Sequence, residues 1–139
     1  MRELSGAQSC RPEDDHMKIV GDPEQYGTRI MVRSLVAAGS GGAKCRYDVV
    51  NFNQAPADRT IECRLQFQEG PIDGIFGVNG ITNESLLAIV EDRLADFQRG
   101  PFPCKDNEFA LFCVRHALSA LADRRSDRRE RGVLGKCVE

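Results

Sequence analysis

The chain has 139 residues, of which 41% are hydrophobic and 29% charged, enough for one domain of modest core or for a compact fold that borrows a partner's surface. Its net charge of −2 argues against a global electrostatic grip on nucleic acid, because duplex binders usually present a strongly basic domain. Six cysteines without a Cys-x-x-Cys pair, two histidines, and no signal peptide, apolar 18-mer or lipidation signal predict no metal site, no disulfide framework, no membrane span and a reducing cytosol.

Residues 1–16 show no hydrophobic periodicity and read as a flexible arm. Residues 17–80 read as an antiparallel β-sheet region. Met17 to Val20 is a short edge strand before the Gly21-Asp22-Pro23 turn, and Thr28 to Leu35 is a β-type run. Ala37 to Lys44 is a flexible turn. It lacks the Gly-Lys-Ser/Thr ending of a phosphate loop, since Ala43 precedes Lys44 and Cys45 follows. Cys45 to Phe52 returns with Cys45, Tyr47 and Val49 on one face. Thr60 to Gln68 alternates most cleanly, with Ile61, Cys63, Leu65 and Phe67 pointing one way and Thr60, Glu62, Arg64, Gln66 and Gln68 the other. Cys63 and Cys113 fall on apolar faces, where a thiol ordinarily acts as a small core hydrophobe.

Glu69 to Gly80 is rich in glycine, and such a loop can lay backbone close to a neighbour or simply turn. Residues 81–139 then read as a helical hairpin for dimerisation and ligand binding. Thr82 is the N-cap of the first helix, and Ile81 and Leu86 can form a hydrophobic staple. Leu87, Val90, Leu94 and Phe97 recur on one face, and Gly100 stops the helix while Pro101 and Pro103 prevent its resumption. The second helix runs from about Lys105 to about Arg131. Its apolar side chains from Phe109 to Leu121 cover roughly 260° of the circumference, with Arg115 and Ser119 marking a narrow wet strip. One small domain cannot cover so wide a belt, so a second chain is predicted. The fold class is α+β, a small N-terminal antiparallel β-sheet followed by a C-terminal two-helix hairpin.

Chemistry concentrates at the two ends of this hairpin. From Ala120 to Glu139 six Lys/Arg face four Asp/Glu, and five arginines (124, 125, 128, 129 and 131) crowd the helix end. One reading is a solvated helix terminus in which Asp123, Asp127 and Glu130 pair the arginines at helical spacing. The other is a diphosphate clamp, because guanidinium forks bind phosphate oxygens in pairs, with Arg125 and Arg129 contributing less than Arg124 and Arg128 if they lie on the solvated side. At the corner, Phe97 can be core or can stack on a purine. Asn107 can satisfy local backbone or can read a base edge or ribose hydroxyls. Asn107 and Arg124 are 17 residues apart on one helix, about 25 Å at 1.5 Å per residue. If they share a ligand, the site is built from two antiparallel copies, with two equivalent pockets. His116 has no Cys, His or Asp motif around it, and no nucleophile–base pair or metal set is visible, so no catalytic residue is assigned and binding without turnover is the reading.

The same residues carry a resemblance. Gly70-Pro71, the run from Gly77-Val78-Asn79-Gly80 to Val90, Asp92-Arg93-Leu94, Phe97-Gln98-x-Gly100, Cys104 to Leu111, and Arg124, Arg128, Arg131-Gly132-Val133 and Gly135 together resemble the Thoeris anti-defence sponge family of phages, the first-described type. The hairpin is similar to that of the sponge acting against cyclic-oligonucleotide (CBASS) defence. The resemblance implies a protein of the host cytoplasm that traps a cyclic ADP-ribose isomer, glycocyclic ADP-ribose, made by a TIR-domain enzyme, without cleaving it and with no cofactor. It implies that Phe97 stacks on adenine, that Asn107 contacts base or ribose, and that Arg124 and Arg128 of the partner chain hold the diphosphate. Some relatives form hexamers as well as dimers and also bind cyclic di- or trinucleotides. Two other readings compete: a small phage interaction module that grips nucleic acid or an acidic protein with the arginine end, and an enzyme that hydrolyses a nucleotide ring.

Overall fold

The computed structural model describes residues 18–21, 24, 29–34, 38–39, 41–51 and 59–134. The arm over 1–16, the run ends at 17, 28, 35 and 52, the turn residues 22–23, and residues 135–139 lie outside the described residues. The order is β1 (Lys18–Gly21), β2 (Ile30–Ser34), β3 (Arg46–Asn51), β4 (Ile61–Gln66), α1 (Asn83–Arg99) and α2 (Lys105–Glu130), an α+β fold. The chain divides into two compact units, Met1–Leu65 and Gln66–Glu139.

In the first unit the strands follow one another in the order β1-β2-β3-β4, as short connections dictate. β1 pairs antiparallel with β2, with a register shift between Ile19 and Gly21, and β2 pairs antiparallel with β3. The latter register sets Met31 against Val50 and Arg33 against Asp48. Burial therefore falls on the opposite face of β3 from Cys45, Tyr47 and Val49. Met31, Val50 and Asp48 are buried, and Asp48 has no exposed surface. A carboxylate tolerates that position only because cations meet it there. Arg64 of β4 donates from Nε at 2.8 Å and from a terminal nitrogen at 3.3 Å, and Arg33 of β2 donates at 3.4 Å. The hydrogen bond from Arg64 holds the Asp48 carboxyl below the ordinary aspartate value of 3.8, against the opposing effect of burial, with the charges of Arg64 and Arg33 assisting. The folded pKa lies below the unfolded one. This contribution to stability is thus present above the unfolded value and is lost as pH falls through the folded one.

Cys63 is exposed, and so is Cys113 on α2, which corrects their reading as core hydrophobes. Ile61 is likewise 45% exposed, so the alternation of β4 marks a strand without marking a buried face.

The second unit opens with an isolated parallel bridge between Phe67 and Ile81 that closes the glycine-rich loop at its base. Gly80 has to be glycine here. A Cβ would lie 2.4 Å from the Phe67 carbonyl carbon and 2.6 Å from the Gln66 oxygen. α1 begins where the sequence places it. The Thr82 side chain accepts from the Ser85 amide at 3.1 Å, and Ser85 answers as the third residue of a capping box. Gly100 ends the helix by donating to the Asp96 carbonyl at 2.9 Å. α2 is capped by a thiol, with Cys104 Sγ accepting from the Asn107 amide at 3.4 Å. Its other end closes on Gly132, at φ 67°, with the Val133 amide bonded to the Arg128 carbonyl at 3.0 Å, a Schellman-type stop.

The helices pack on each other, with Leu87, Glu91, Leu94 and Gln98 of α1 and Val114, Leu118 and Leu121 of α2 among the half-buried residues, yet only Leu111 is buried in either helix. Arg115, read as part of the wet strip, bridges the helices by donating to Glu91 at 2.9 Å. The stripe predicted on α1 divides. Leu87 and Leu94 are half-buried, whereas Val90 and Phe97 face outward. On α2, Phe109 and Phe112 are 68% and 55% exposed and lie nearly parallel at 6.3 Å. This is the apolar excess that the wide belt predicts.

Candidate functional site

On α2, residues 121, 124, 125, 128 and 129 fall within an arc of about 140° at 100° per residue. In the structure they form one wall of a cavity of about 550 Å³ that lies within the second unit. Leu121 sits among the four arginines, and the rest of the lining includes Gln68 and Gly70 to Asp73 of the loop and Thr82 and Glu84 at the start of α1.

The arginines are not consumed by neighbouring carboxylates, as a solvated helix end would have it. Asp127 pairs with Arg131 at 2.9 Å. Among the described residues, the side chains of Arg124, Arg125 and Arg129 make no hydrogen bond or ion pair, and Asp123 and Glu130 pair with none of them. Arg128 is engaged, donating to the Val133 carbonyl at 3.0 Å and so reinforcing the end of the helix. Arg125 and Arg129 line the same cavity as Arg124 and Arg128, and both are also exposed to solvent. The i, i+1, i+4, i+5 spacing carries that information, because four residues so spaced share under half of the helix circumference.

The facing loop is rigid by construction. Gln68 Nε2 donates to the Gly77 carbonyl at 2.9 Å and the Gly70 carbonyl at 3.3 Å, while its Oε1 accepts from the Asn79 amide at 3.0 Å. Asn79 reciprocates, its Oδ1 accepting from the Glu69 amide and its Nδ2 donating to the Glu69 carbonyl, both at 2.8 Å. Two successive turns complete it, Gly74 to Pro71 and Gly77 to Gly74, each 3.1 Å. A side-chain amide at each end of the loop thus replaces the backbone pairing that a glycine-rich segment lacks.

At the other end of the hairpin the corner is fastened by Gln98, whose Oε1 accepts from the Cys104 amide at 3.0 Å. Phe97 is 52% exposed, with the Arg93 guanidinium 5.7 Å from its ring centroid. Asn107 is half-buried, and its carboxamide makes no hydrogen bond among the described residues. Phe97 and Asn107 thus sit together at the corner, and Arg124 and Arg128 sit together at the far end. A single chain does not unite the two pairs, since 17 residues of helix separate Asn107 from Arg124, about 25 Å.

A second cavity of about 500 Å³ lies against Lys105, Glu108, Phe109 and Phe112 on the outer side of α2. His116 continues this ridge, its ring 4.0 Å from that of Phe112 and its Nδ1 2.9 Å from the Phe112 carbonyl. Neither contact is a catalytic partnership. Among the described residues no three His, Cys, Asp or Glu side chains gather as a metal site would require.

Residues 59–123 match the family described as the Acb2/Tad1 hairpin domain. The match begins two residues before β4, runs through the loop and α1, and ends within α2, one residue short of Arg124. The chain is also similar to the protein named Thoeris anti-defense 1 of Bacillus phage SBSphiJ7. The two are 41% identical over 105 residues, which make up 76% of this chain and 69% of that one.

Proposed function

Since the chain belongs to the Acb2/Tad1 hairpin family of Thoeris anti-defence sponges, we propose that it counters Thoeris immunity by capturing the cyclic ADP-ribose-type signal of a host TIR enzyme and holding it intact in the host cytoplasm. The observation that carries this reading is the cavity of α2, where three guanidiniums without partners among the described residues and a fourth on the helix end line one space. Such a constellation suits a diphosphate and performs no bond cleavage by itself, since hydrolysis needs an activated nucleophile.

The rest of the ligand is assigned to the corner. Phe97 presents an exposed ring for adenine, and Asn107 an uncommitted amide for base or ribose. The separation of about 25 Å between these groups and Arg124 is bridged by pairing two chains antiparallel, so that each pocket takes a corner from one protomer and an arginine wall from the other. The exposed Phe109 and Phe112 supply apolar surface for that pairing.

The test is a recovery assay. Protein mixed with glycocyclic ADP-ribose is filtered free of excess ligand and heat-denatured, and the released nucleotide is identified by mass and retention time. Intact ligand, stoichiometric with protein, is expected. Linear ADP-ribose accumulating in proportion to protein would replace capture with hydrolysis, and retention of RNA or DNA in its place would favour a nucleic-acid module. The same assay with cyclic di- and trinucleotides reads how far the ligand range extends.

A further inference from the structure

The arginine cavity also contains a carboxylate that the fold does not explain. Its lining holds four arginines against two carboxylates, Asp73 and Glu84, leaving a formal excess of two positive charges. Glu84 has a local reason to be there. It lies in the first turn of α1, where a negative charge offsets the helix dipole. Asp73 has none. It is the third residue of the turn from Pro71 to Gly74, but that turn is closed by backbone, and among the described residues the Asp73 side chain makes no hydrogen bond and no ion pair.

Opposite charges on two walls of one cavity ordinarily close on each other. Here they do not, because the loop carrying Asp73 is fixed by the reciprocal Gln68 and Asn79 bonds. The carboxylate is therefore kept as an open negative charge facing a positive wall. That arrangement discriminates among phosphates. A diphosphate esterified at both ends carries two negative charges, matching the excess. A free terminal phosphate loses a second proton near pH 6 and brings a further negative charge, which an unneutralised Asp73 on the same lining repels.

Resting on the proposed diphosphate cavity, we infer that Asp73 is a specificity-determining residue that admits diphosphates blocked at both ends and excludes those with a free terminal phosphate. Glycocyclic ADP-ribose belongs to the first class, and inorganic pyrophosphate and nucleoside diphosphates to the second.

Direct calorimetry of glycocyclic ADP-ribose and of inorganic pyrophosphate, on the full chain and on its Asp73→Asn and Asp73→Ser variants, tests this. Both variants should tighten pyrophosphate roughly fivefold, the scale of one charge met at close range in a wet cavity. The cyclic ligand should change by less than half that factor, so that the preference for it narrows. Raising salt from 50 to 300 mM should shrink the difference. Equal shifts for the two ligands, or unchanged pyrophosphate affinity in both variants, would overturn the role of Asp73. If the wild-type chain bound pyrophosphate but not the cyclic ligand, the proposed signal would fall, while the pyrophosphate shift would still decide the role of Asp73.

Discussion

The two ends of the helical hairpin solve different problems with the same two helices. The corner carries charges of both signs, among them Arg93 beside the Phe97 ring and the Asp96–Arg99 pair, with an exposed aromatic ring, a carboxamide that makes no hydrogen bond among the described residues, and a chain reversal fixed by Gln98 and by a thiol cap. The arginine end is charged and is backed by a loop from outside the helices, braced through side-chain amides. A base-stacking surface needs an exposed ring and little else. A phosphate site needs cations that cannot neutralise themselves, which requires a scaffold that keeps counter-charges at a distance. On the proposed function each end supplies half of the chemistry that a dinucleotide needs, and a helix of 26 residues keeps the halves from meeting within one chain.

The sharpest way to break that contrast is to damage one end in each of two chains. Asn107→Ala and Arg124→Ala homodimers should both lose high-affinity binding. A mixed dimer, purified through two tags, contains one pocket with both lesions and one with neither, so it should regain about half of the wild-type capacity at wild-type affinity. No recovery in calorimetry would confine each pocket to a single chain.

Next in size are the arginines. Arg124→Ala, Arg125→Ala and Arg129→Ala should each weaken ligand binding by about 1.5–3 kcal/mol, the range of charge-assisted hydrogen bonds, with melting temperatures unchanged. Arg128→Ala should weaken binding and also lower the melting temperature, because it alone among the four holds the Val133 carbonyl. An Arg128 variant of full thermal stability would remove that second role.

A smaller effect separates the corner's ring from the core. Phe97→Leu should cost about 1–2 kcal/mol of binding through lost stacking on a base, with little change in stability, since the ring is half exposed. Large destabilisation in thermal denaturation would return Phe97 to the core.

Smallest are the caps. Thr82→Ala should destabilise by about 1 kcal/mol. Cys104→Ser should stabilise by a few tenths of a kcal/mol or more, because a hydroxyl is a better N-cap acceptor than a thiol, a weak acceptor. Chemical denaturation of both variants checks the pair, and equal destabilisation would deny the two caps their difference.

What was legible in the chain follows the range of the interactions concerned. The hairpin is written in local punctuation. Thr82, Gly100, Pro101 and Pro103 act within a few residues of their own positions, and the helices begin and end where those residues demand. The sheet is legible as strands but not as faces. Burial of Asp48 depends on arginines from β2 and β4, each more than a dozen residues away, and alternation alone directs attention to Tyr47 and Val49. The loop shows the same limit in another form. Its glycines announce turns, but the reciprocal bonding of Gln68 and Asn79 across ten or so residues turns a flexible segment into a wall. Asp73 gives no signal at all, since aspartate in a turn is ordinary and only the facing arginines give it meaning. The spacing of Arg124, Arg125, Arg128 and Arg129 puts all four on one side of α2, but the loop that makes that side a cavity wall lies fifty or so residues away.

One last consequence follows from Leu111, the single side chain of either helix to be buried. A hairpin with so little interior of its own draws its remaining stability from whatever covers Phe109 and Phe112, and with a second copy as the cover, mass action governs the fold. On the proposed two-chain pocket, dilution would loosen protomer and pocket together, and a captured ligand that bridges two chains would oppose that dilution. Such a molecule is at its most robust when the signal it meets is abundant.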